Sequence, residues 1–304
     1  MKVGGVWYTE ALTSTALFSY KIKELIYSGK TKYQKIEVAD TYDYGKCLIL
    51  DGKIQSSVKD EWIYHEALTH PLMVTHPKPE KILIIGGGEG ATLRETLKHN
   101  TVTLVIMVDL DKEVVETSKK YLPEICKNSF NNKKTKLVFA DGRKFLEKQP
   151  PKSYDGIIID VTDPLEGGPS AFLYTKEFYS LVKSRLKNDG LMVTQATSIF
   201  HSLECFTKIY NTVKTVFPVA RAFKAEVPAY SSVWGFVLGS KKHDPVNLNP
   251  KLINKILRER GVKNLKFYDG LTHQTMFTFP KHLRKLLQKE KEIVKDSKPV
   301  YMAS

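Results

Sequence analysis

Five short apolar runs, separated by stretches with helical spacing, constrain what the middle of this chain can fold into. Parallel strands need long connections, which are usually helices, so this alternation predicts an open α/β sheet of the doubly wound, Rossmann-like type. The predicted strands are residues 82–85, 104–108, 137–139, 156–159 and 191–194. The predicted helices are residues 91–99, 112–121, 143–148 and 175–187. After a helix over 203–217, two β runs at 220–227 and 233–238 are expected to form an antiparallel edge.

Two flanking segments depart from this pattern. Residues 33–64 alternate β-forming residues with turn signals at 43–45 and at 51–52, which predicts a small antiparallel sheet. Residues 243–304 have helical character, and the chain has no internal repeat. We therefore expect three parts, which are an N-terminal β module (1–65), a Rossmann-like domain (66–242) and a helical extension packed on that domain (243–304).

The composition narrows the class of protein. No apolar run approaches the roughly 20 residues that span a bilayer, and the first residues lack the pattern of a secretory signal, so a cytoplasmic protein is expected. Cys47, Cys126 and Cys205 lie far apart with no CxxC spacing, which predicts buried free thiols and no metal site.

The chain is basic, with a formal net charge of +14. Such a charge raises nucleic acid or an anionic membrane as a partner. Much of the excess lies near the C-terminus, where the basic residues are spaced as on the solvated face of a helix: Lys281, Arg284, Lys285, Lys289, Lys291, Lys295 and Lys298. We therefore expect no nucleic-acid or membrane partner, although a nucleic-acid-binding protein stays an alternative.

Informative residues follow four of the predicted strands. The first strand runs into the glycine turn GGGEGA at 86–91, and the others are followed by Asp109, by Asp141-Gly142 and by Asp160. Ligands of doubly wound sheets bind at this edge. Asp109 stands 21 residues after Gly88, the offset at which an acid accepts hydrogen bonds from ribose hydroxyls, so a nucleoside ligand is predicted. The same glycines also satisfy the dinucleotide pattern, which keeps an NAD-dependent oxidoreductase open.

The segment from Asp160 to Pro169 favours a different ligand. Asp160 and Asp163 stand three residues apart and precede a loop rich in proline and glycine. Two carboxylates beside a loop that can close over them suit a cation, so we expect a positively charged acceptor and an acidic cavity in a basic protein.

Five stretches occur in a fixed order, namely GGGEGATLRE, VDLD, FADGR, DVTDP with a following GGP, and VPAYSSVWGFVLGSK. In order and spacing they resemble the spermidine synthase, or polyamine aminopropyltransferase, family over about residues 7–241. DPLEGGP, LYTKEFY and PAYSSVWGF are similar to the branch of thermospermine synthases and thermophile enzymes that act on agmatine. The resemblance implies a methyltransferase-type fold and transfer of an aminopropyl group from decarboxylated S-adenosylmethionine to an amine.

The resemblance also implies roles for individual residues. Those matching the family's donor-binding positions are Gln34, His65, Gly86, Gly88, Glu89, Asp109, Asp141, Gly142 and Pro169. Asp160 matches the proton acceptor, and the acceptor channel is matched by Trp7 as a lid and by Tyr64, Asp163, Gln195 and Tyr230. A sulfonium is already a good leaving group, so positioning and removal of an amine proton suffice, and no metal or redox cofactor is expected.

Two departures from the family pattern concern the acceptor end. The loop DPLEGGP is two residues longer than the common form, and Trp234 replaces a smaller residue. The acceptor therefore stays open between putrescine, agmatine and spermidine, with putrescine preferred, and the expected homo-oligomer stays open between dimer and tetramer. A methyltransferase that uses intact S-adenosylmethionine remains the main alternative, because it would share the fold.

Overall fold

The N-terminal part of the computed structural model, which describes residues 4–302, is an antiparallel sheet with its five strands in sequence order. Asp51 and Gly52 both adopt positive φ, as a tight hairpin turn requires, and connect the last two strands. The strands are β1 (Val6–Thr13), β2 (Ala16–Lys30), β3 (Lys35–Thr41), β4 (Gly45–Leu50) and β5 (Lys53–Ser57).

One part of the predicted β segment is wrong. Residues 61–64 begin helix α1 (Glu61–Thr75) instead of continuing the sheet. All residues of this helix except Trp62 and Ile63 are buried, so it has no polar face whose spacing would reveal a helix. The helix runs beneath the neighbouring sheet and carries Tyr64 and His65 to the site described below.

The second sheet has seven strands in the order β11-β12-β10-β9-β6-β7-β8. Its strands are β6 (Lys81–Gly86), β7 (Leu104–Asp109), β8 (Thr135–Phe139), β9 (Tyr154–Asp160), β10 (Leu186–Ser198), β11 (Val219–Val227) and β12 (Ser232–Ser240). Apolar side chains alternate between two buried clusters, one on each face, which confirms the doubly wound α/β fold.

The expected antiparallel edge is confirmed. β11 is the edge strand, and β12 lies between β10 and β11 and is antiparallel to both. The centre of the sheet matters more for the site. The chain moves from β6 outward through β7 and β8, then returns to place β9 on the other side of β6. Loops after β6 and β9 therefore diverge and open a crevice at their carboxyl ends.

The helices that cover the sheet are α2 (Ala91–Leu97), α3 (Lys112–Tyr121), α4 (Pro123–Cys126), α5 (Gly142–Glu147), α6 (Lys176–Arg185) and α7 (Leu203–Val216). Cys47, Cys126 and Cys205 are buried free thiols, as expected. Among residues 4–302, no helix combines the length and apolar character that crossing a membrane would need.

Three more helices, α8 (Pro250–Glu259), α9 (Gly270–Met276) and α10 (Lys281–Lys289), follow the second sheet. Tyr268 and His273 are buried and hydrogen-bonded to each other, and Phe277 packs on Phe223, so these residues serve packing. The basic residues of α10 face solvent, but the helix ends at Lys289. Residues 291–302 are therefore not the continuous helix that the charge spacing predicts.

Candidate active site

A cavity of about 230 Å³ lies between the N-terminal sheet and the carboxyl ends of β6, β7 and β9. It brings together fourteen of the fifteen residues singled out from the sequence. They are Gln34, Tyr64, His65, Gly86, Gly88, Glu89, Asp109, Asp141, Gly142, Asp160, Asp163, Pro169, Gln195 and Tyr230.

Trp7 is the exception, and the structure corrects its expected place at the acceptor channel. Its side chain is 41% exposed and is not among the cavity-lining residues. Successive side chains of a strand point to opposite faces, and on β1 it is Glu10 and Leu12 that line the cavity. The position of Trp7 places it on the other face of the sheet.

Three glycines allow the walls of the cavity to approach each other. Gly86 has a φ of 84°, and a Cβ there would collide with the backbone carbonyl of Asp160. A Cβ on Gly88 would lie 2.9 Å from the Asp109 carboxylate, and one on Gly142 would collide with Ile85. The turn after β6 is thus pressed against the ends of β7 and β9 in a way that only glycine permits.

Asp109 ends β7 inside the cavity. One of its oxygens accepts a hydrogen bond from the Asp111 backbone N–H at 2.8 Å. Desolvation raises the pKa of Asp109 to about 7, against that hydrogen bond. Gln34 donates to Asp111 at 3.1 Å, so the N-terminal sheet is tied to the loop that carries Asp109.

Asp160, at the end of β9, is held by two hydroxyl groups. Tyr64 donates to Oδ1 at 2.8 Å, and Thr92 donates to Oδ2 at 2.5 Å. Desolvation, together with the negative charge of Glu89, raises the pKa of Asp160 to about 6. A carboxylate with a raised pKa, fixed by neutral donors, is a suitable proton acceptor near neutral pH.

His65 connects Glu89 to a buried network of charges. Its Nε2 donates to Glu89 at 2.8 Å, while Nδ1 faces the Glu61 carboxylate at 3.0 Å. Burial alone would lower the pKa of His65, but the hydrogen bonds with Glu61 and Glu89 outweigh it and raise that pKa to about 10. Arg94 in turn pairs with Glu61 at 2.8 Å. The imidazolium is therefore held by carboxylates on both sides.

Within residues 4–302, one group of side chains offers ligand atoms close enough for a metal ion. His65, Glu89 and Asp160 each present such an atom within 4.8 Å of the others. Both ring nitrogens of His65 already face carboxylates, so a metal would have to displace a proton from this ring. The arrangement fits an organic ammonium held by Glu89 and Asp160 without that cost.

Asp163 and Gln195 define the other end of the cavity. Gln195 donates to Asp163 at 3.2 Å and to the Val161 carbonyl at 2.9 Å. Trp234 donates through its indole N–H to the Gln195 oxygen at 3.1 Å, which fixes the amide orientation. Burial raises the pKa of Asp163 to about 6, although the Gln195 hydrogen bond opposes this.

Aromatic side chains form one wall between the two ends. The Tyr230 ring lies edge-on to Tyr64 at 5.8 Å and to Trp234 at 4.8 Å between centroids. The Tyr230 hydroxyl donates to the backbone carbonyl of Gln55. Its ring faces are consequently more available to a cation than its oxygen.

Sequence reasoning missed Glu10. This side chain is only 7% exposed, lines the cavity from β1 and accepts a hydrogen bond from the Ile54 backbone N–H at 3.1 Å. Burial raises its pKa to about 7. Glu10 alternates with Tyr8 and Leu12 at every second residue, the spacing that places side chains on one face of a strand. This strand had not been predicted from the sequence.

The cavity is acidic, as expected from the sequence. Two basic side chains, Lys53 and Arg143, line it together with His65 and His201. The carboxylates that line it are Glu10, Glu89, Asp109, Asp141, Asp160 and Asp163. The net charge of +14 therefore resides elsewhere on the molecule.

Comparisons with known proteins give a consistent result. Residues 61–250 match the model of the spermine/spermidine synthase domain, and residues 6–57 match that of the spermidine synthase tetramerisation domain. A polyamine aminopropyltransferase of Sulfurisphaera tokodaii is 49% identical over 294 residues, which cover 97% of each chain. Polyamine aminopropyltransferase 2 of Hyperthermus butylicus is 45% identical over 282 residues, covering 93% of this chain and 92% of the relative.

Solved structures agree with this. A crystal structure of spermidine synthase in complex with the transition-state analogue AdoDATO has a TM-score of 0.88 and 33% identity. The match covers 95% of this chain and 98% of the other. Spermidine synthase from Thermotoga maritima gives a TM-score of 0.86 over the same shares of the two chains.

Proposed function

The chain belongs to the spermine/spermidine synthase family and is a polyamine aminopropyltransferase, and on that premise we propose that Asp160 is the proton acceptor of the transfer. The donor is decarboxylated S-adenosylmethionine, and the acceptor is a di- or polyamine, with putrescine preferred. The observation that carries this proposal is the hydroxyl-held Asp160 carboxylate, set between Glu89 and Asp163 in one acidic cavity.

The donor occupies the end of the cavity formed by the loops after β6, β7 and β8. Asp109 accepts hydrogen bonds from the ribose hydroxyls, and Asp141 meets the adenine amino group. Gly142 and Pro169 flank the ring, while the glycine turn of Gly86 and Gly88 approaches the nucleoside backbone. Support for this placement comes from the carboxylates at neighbouring strand ends and from the close approaches that these glycines allow.

Glu89 pairs with the primary ammonium of the aminopropyl arm. Support comes from its position beside His65, which fixes one carboxylate oxygen and leaves the other to face the cavity. An intact S-adenosylmethionine carries a carboxylate at the corresponding place and would meet the Glu89 charge. This repulsion distinguishes an aminopropyltransferase from the methyltransferase alternative.

The acceptor lies along Tyr64 and Tyr230 between Asp160 and Asp163. The attacking nitrogen loses its proton to Asp160 and forms a bond to the carbon that carries the sulfur. The carbon–sulfur bond breaks with its electron pair moving to sulfur, so the sulfonium leaves as neutral 5′-methylthioadenosine. The leaving group supplies the driving force, and the proposal includes no metal or redox cofactor.

The other charged nitrogen of the acceptor pairs with Asp163. Gln195 orients that carboxylate, and the ring faces of Tyr230 and Trp234 complete a cation-binding end. Burial raises the pKa of Glu10, and the negative charge of Asp163 raises it further, so the two carboxyl groups lie within electrostatic reach of each other. Glu10 is therefore a further acid for a longer acceptor.

The protein is proposed to act as a homo-oligomer through its N-terminal sheet. Residues 6–57 match a tetramerisation domain, and Trp7 and Leu17 expose apolar surface there. Used by two copies symmetrically, this face forms a dimer, and a tetramer would use a second contact as well.

The function is tested by supplying each donor with each amine. The protein is incubated with decarboxylated or intact S-adenosylmethionine and with putrescine, agmatine or spermidine, and the products are separated by chromatography. We expect the decarboxylated donor to yield 5′-methylthioadenosine and an aminopropylated amine in equal amounts. The intact donor should yield neither product. Methylated amine formed from the intact donor would refute the proposal.

A further inference from the structure

Residues 290–302, termed the strap below, follow α10 and form no helix, but they include a tight turn closed by Lys295 and Lys298. Its first part is fastened to α7. Thr207 donates to the Glu290 carboxylate at 2.7 Å, and Asn211 donates to the Glu292 carbonyl at 2.8 Å. Val294 is 2% exposed, and its backbone N–H donates to Thr212. The strap is thus packed onto the fold along this part of its length.

The middle of the strap is joined to two helices near the cavity. Arg143 donates to both oxygens of Asp296, at 2.9 and 2.6 Å, and Thr175 donates to one of them at 2.6 Å. The Arg143 hydrogen bonds hold the pKa of Asp296 below its ordinary value. Arg143 lies on α5 and lines the cavity, so this ion pair connects the strap directly to the wall of the site.

The strap then reaches the loop of residues 161–170. The Met302 backbone N–H donates to the Pro164 carbonyl at 2.8 Å. Pro164 directly follows Asp163, the carboxylate assigned to the acceptor. Met302 is 8% exposed and is itself one of the residues that line the cavity. Met302 follows Pro164 by 138 residues in the chain, yet it holds this loop and forms part of the cavity surface that contacts the substrate.

We propose that Met302 is a specificity-determining residue that forms the wall facing the methylene chain of the amine acceptor, and that the Asp296–Arg143 pair positions it. The inference rests on the proposed function. An extended polyamine alternates charged nitrogens with apolar segments, so carboxylates alone cannot accommodate it. The unbranched thioether side chain of Met302 supplies apolar, adaptable surface in the cavity, next to the loop that follows Asp163.

The strap also explains how a longer loop is kept in place. The DPLEGGP segment is partly closed on itself, with Ser170 donating to the Asp163 carbonyl at 2.8 Å. Its Pro164 carbonyl points to the strap. Loop position and acceptor-wall shape are thus set by the same residue, so a change at Met302 alters which acceptor length is preferred.

The test compares four variants in the full-length protein. Met302→Ala removes the wall, Met302→Leu retains apolar volume, and Asp296→Ala releases the anchor. Lys298→Ala is the matched control, because Lys298 lies on the strap with its side chain 73% exposed. For each variant, kcat and KM are measured for the donor and for putrescine, agmatine and spermidine, and thermal unfolding reports whether the fold is intact.

We expect Met302→Ala to change the ratio of kcat/KM between spermidine and putrescine by about tenfold, the lower end of the discrimination that an apolar pocket achieves for one methylene group. The change should reside in the acceptor KM and leave the donor KM unaltered. Met302→Leu should restore most of the ratio, Asp296→Ala should shift it in the same direction as Met302→Ala, and Lys298→Ala should leave it unchanged.

Wild-type ratios in both Met302 variants would overturn the inference. A change confined to the donor KM would also overturn it. Absence of aminopropyl transfer by the wild-type protein to all three amines would instead overturn the proposed function. If Asp296→Ala unfolds at the assay temperature, the Met302→Ala and Met302→Leu pair still decides the matter.

Discussion

The Tyr64 hydroxyl donates a 2.8 Å hydrogen bond to one oxygen of Asp160, across the junction between helix α1 and strand β9. Thr92 occupies the second oxygen of that carboxylate. Both donors are uncharged, so they fix the orientation of the carboxylate without strongly stabilising its ionised form. Desolvation can therefore keep the pKa of Asp160 at about 6, where it accepts a proton from an amine and releases it to solvent afterwards.

Asp160→Asn should lower turnover strongly and spare donor binding. The amide keeps the shape of the carboxylate but cannot take a proton, and loss of such a group lowers rates by about 10²–10⁴-fold. Single-turnover transfer and calorimetric titration with 5′-methylthioadenosine measure the two effects separately. Turnover at the wild-type rate would remove Asp160 from the role of base.

The four cavity acids Asp160, Asp163, Asp109 and Glu10 should each contribute a fall in the unfolding free energy of the ligand-free protein as pH rises from about 4 to 7. The pKa values of Asp160 and Asp163 are raised to about 6, and those of Asp109 and Glu10 to about 7. In that window each of these four carboxyl groups is more protonated in the folded protein than in the unfolded chain, so at these groups each rise in pH favours unfolding. Stability from these groups is present at low pH and is lost as pH passes their folded pKa values.

Asp160→Asn provides the matched variant for this pH effect. It should raise the unfolding free energy at pH 8 by about 1–3 kcal/mol, since one pKa unit corresponds to about 1.4 kcal/mol. At pH 4 the two proteins should be nearly equal. Denaturant titrations at both pH values check this, and a variant less stable than the wild type at pH 8 would contradict it.

The site was largely predictable because topology brings strand ends together. Asp109, Asp141 and Asp160 follow three parallel strands, and any doubly wound sheet places such residues at one edge. Gly86 and Gly88 could be identified because they directly follow the first predicted strand of this sheet. For these residues the local sequence pattern and the order of the strands were sufficient.

Other parts depended on information that no local pattern contains. The sequence did not show which face of β1 points toward the cavity. Because successive side chains of a strand alternate between faces, that orientation decides that Glu10 and not Trp7 reaches the cavity. Helix α1 is buried nearly all round and shows no periodicity. Met302 reaches the site through a chain of contacts along α7, α6 and α5, which only the folded structure reveals.

Asp109→Ala should weaken the donor far more than the acceptor. The change removes a carboxylate that accepts ribose hydrogen bonds, each worth about 1.5–3 kcal/mol for a charged partner, so the donor KM should rise by at least about tenfold. The acceptor KM should be unaffected. Steady-state kinetics with each substrate varied in turn measure this. Asp40→Ala, at a half-buried residue of β3 that pairs with Lys23 and does not line the cavity, is the control. An equal rise in both KM values would argue against the ribose assignment.

Glu89→Gln should reduce discrimination between the two forms of the donor. The neutral amide no longer attracts the ammonium of the aminopropyl arm and no longer repels the carboxylate of intact S-adenosylmethionine. The Kd for the decarboxylated form should rise, and that for the intact form should fall. Calorimetric titration with each compound measures both, and Glu124→Gln, on the exposed surface, serves as control.

The contacts of His65 ensure that the Glu89→Gln variant tests the charge of Glu89 and not its position. The imidazolium remains paired with Glu61, so the amide side chain still has a fixed donor on one side. A parallel loss of affinity for both forms of the donor would point to a general disturbance of the cavity instead of removal of a charge.

Leu17→Asp should dissociate the oligomer. The register of β1 and β2 pairs Ala11 with Leu17 and Trp7 with Lys21, which places Leu17 and Trp7 on the same face of the sheet, away from Glu10. A charge at a position that is 70% exposed in one chain costs little in an isolated protomer but much in an apolar interface between copies. Light scattering with size-exclusion chromatography measures the mass, and Leu271→Asp, at a residue that is 66% exposed on α9, is the matched control. An unchanged mass for Leu17→Asp would place the association on another surface, because an aspartate buried without a partner would destabilise an apolar interface formed through this face.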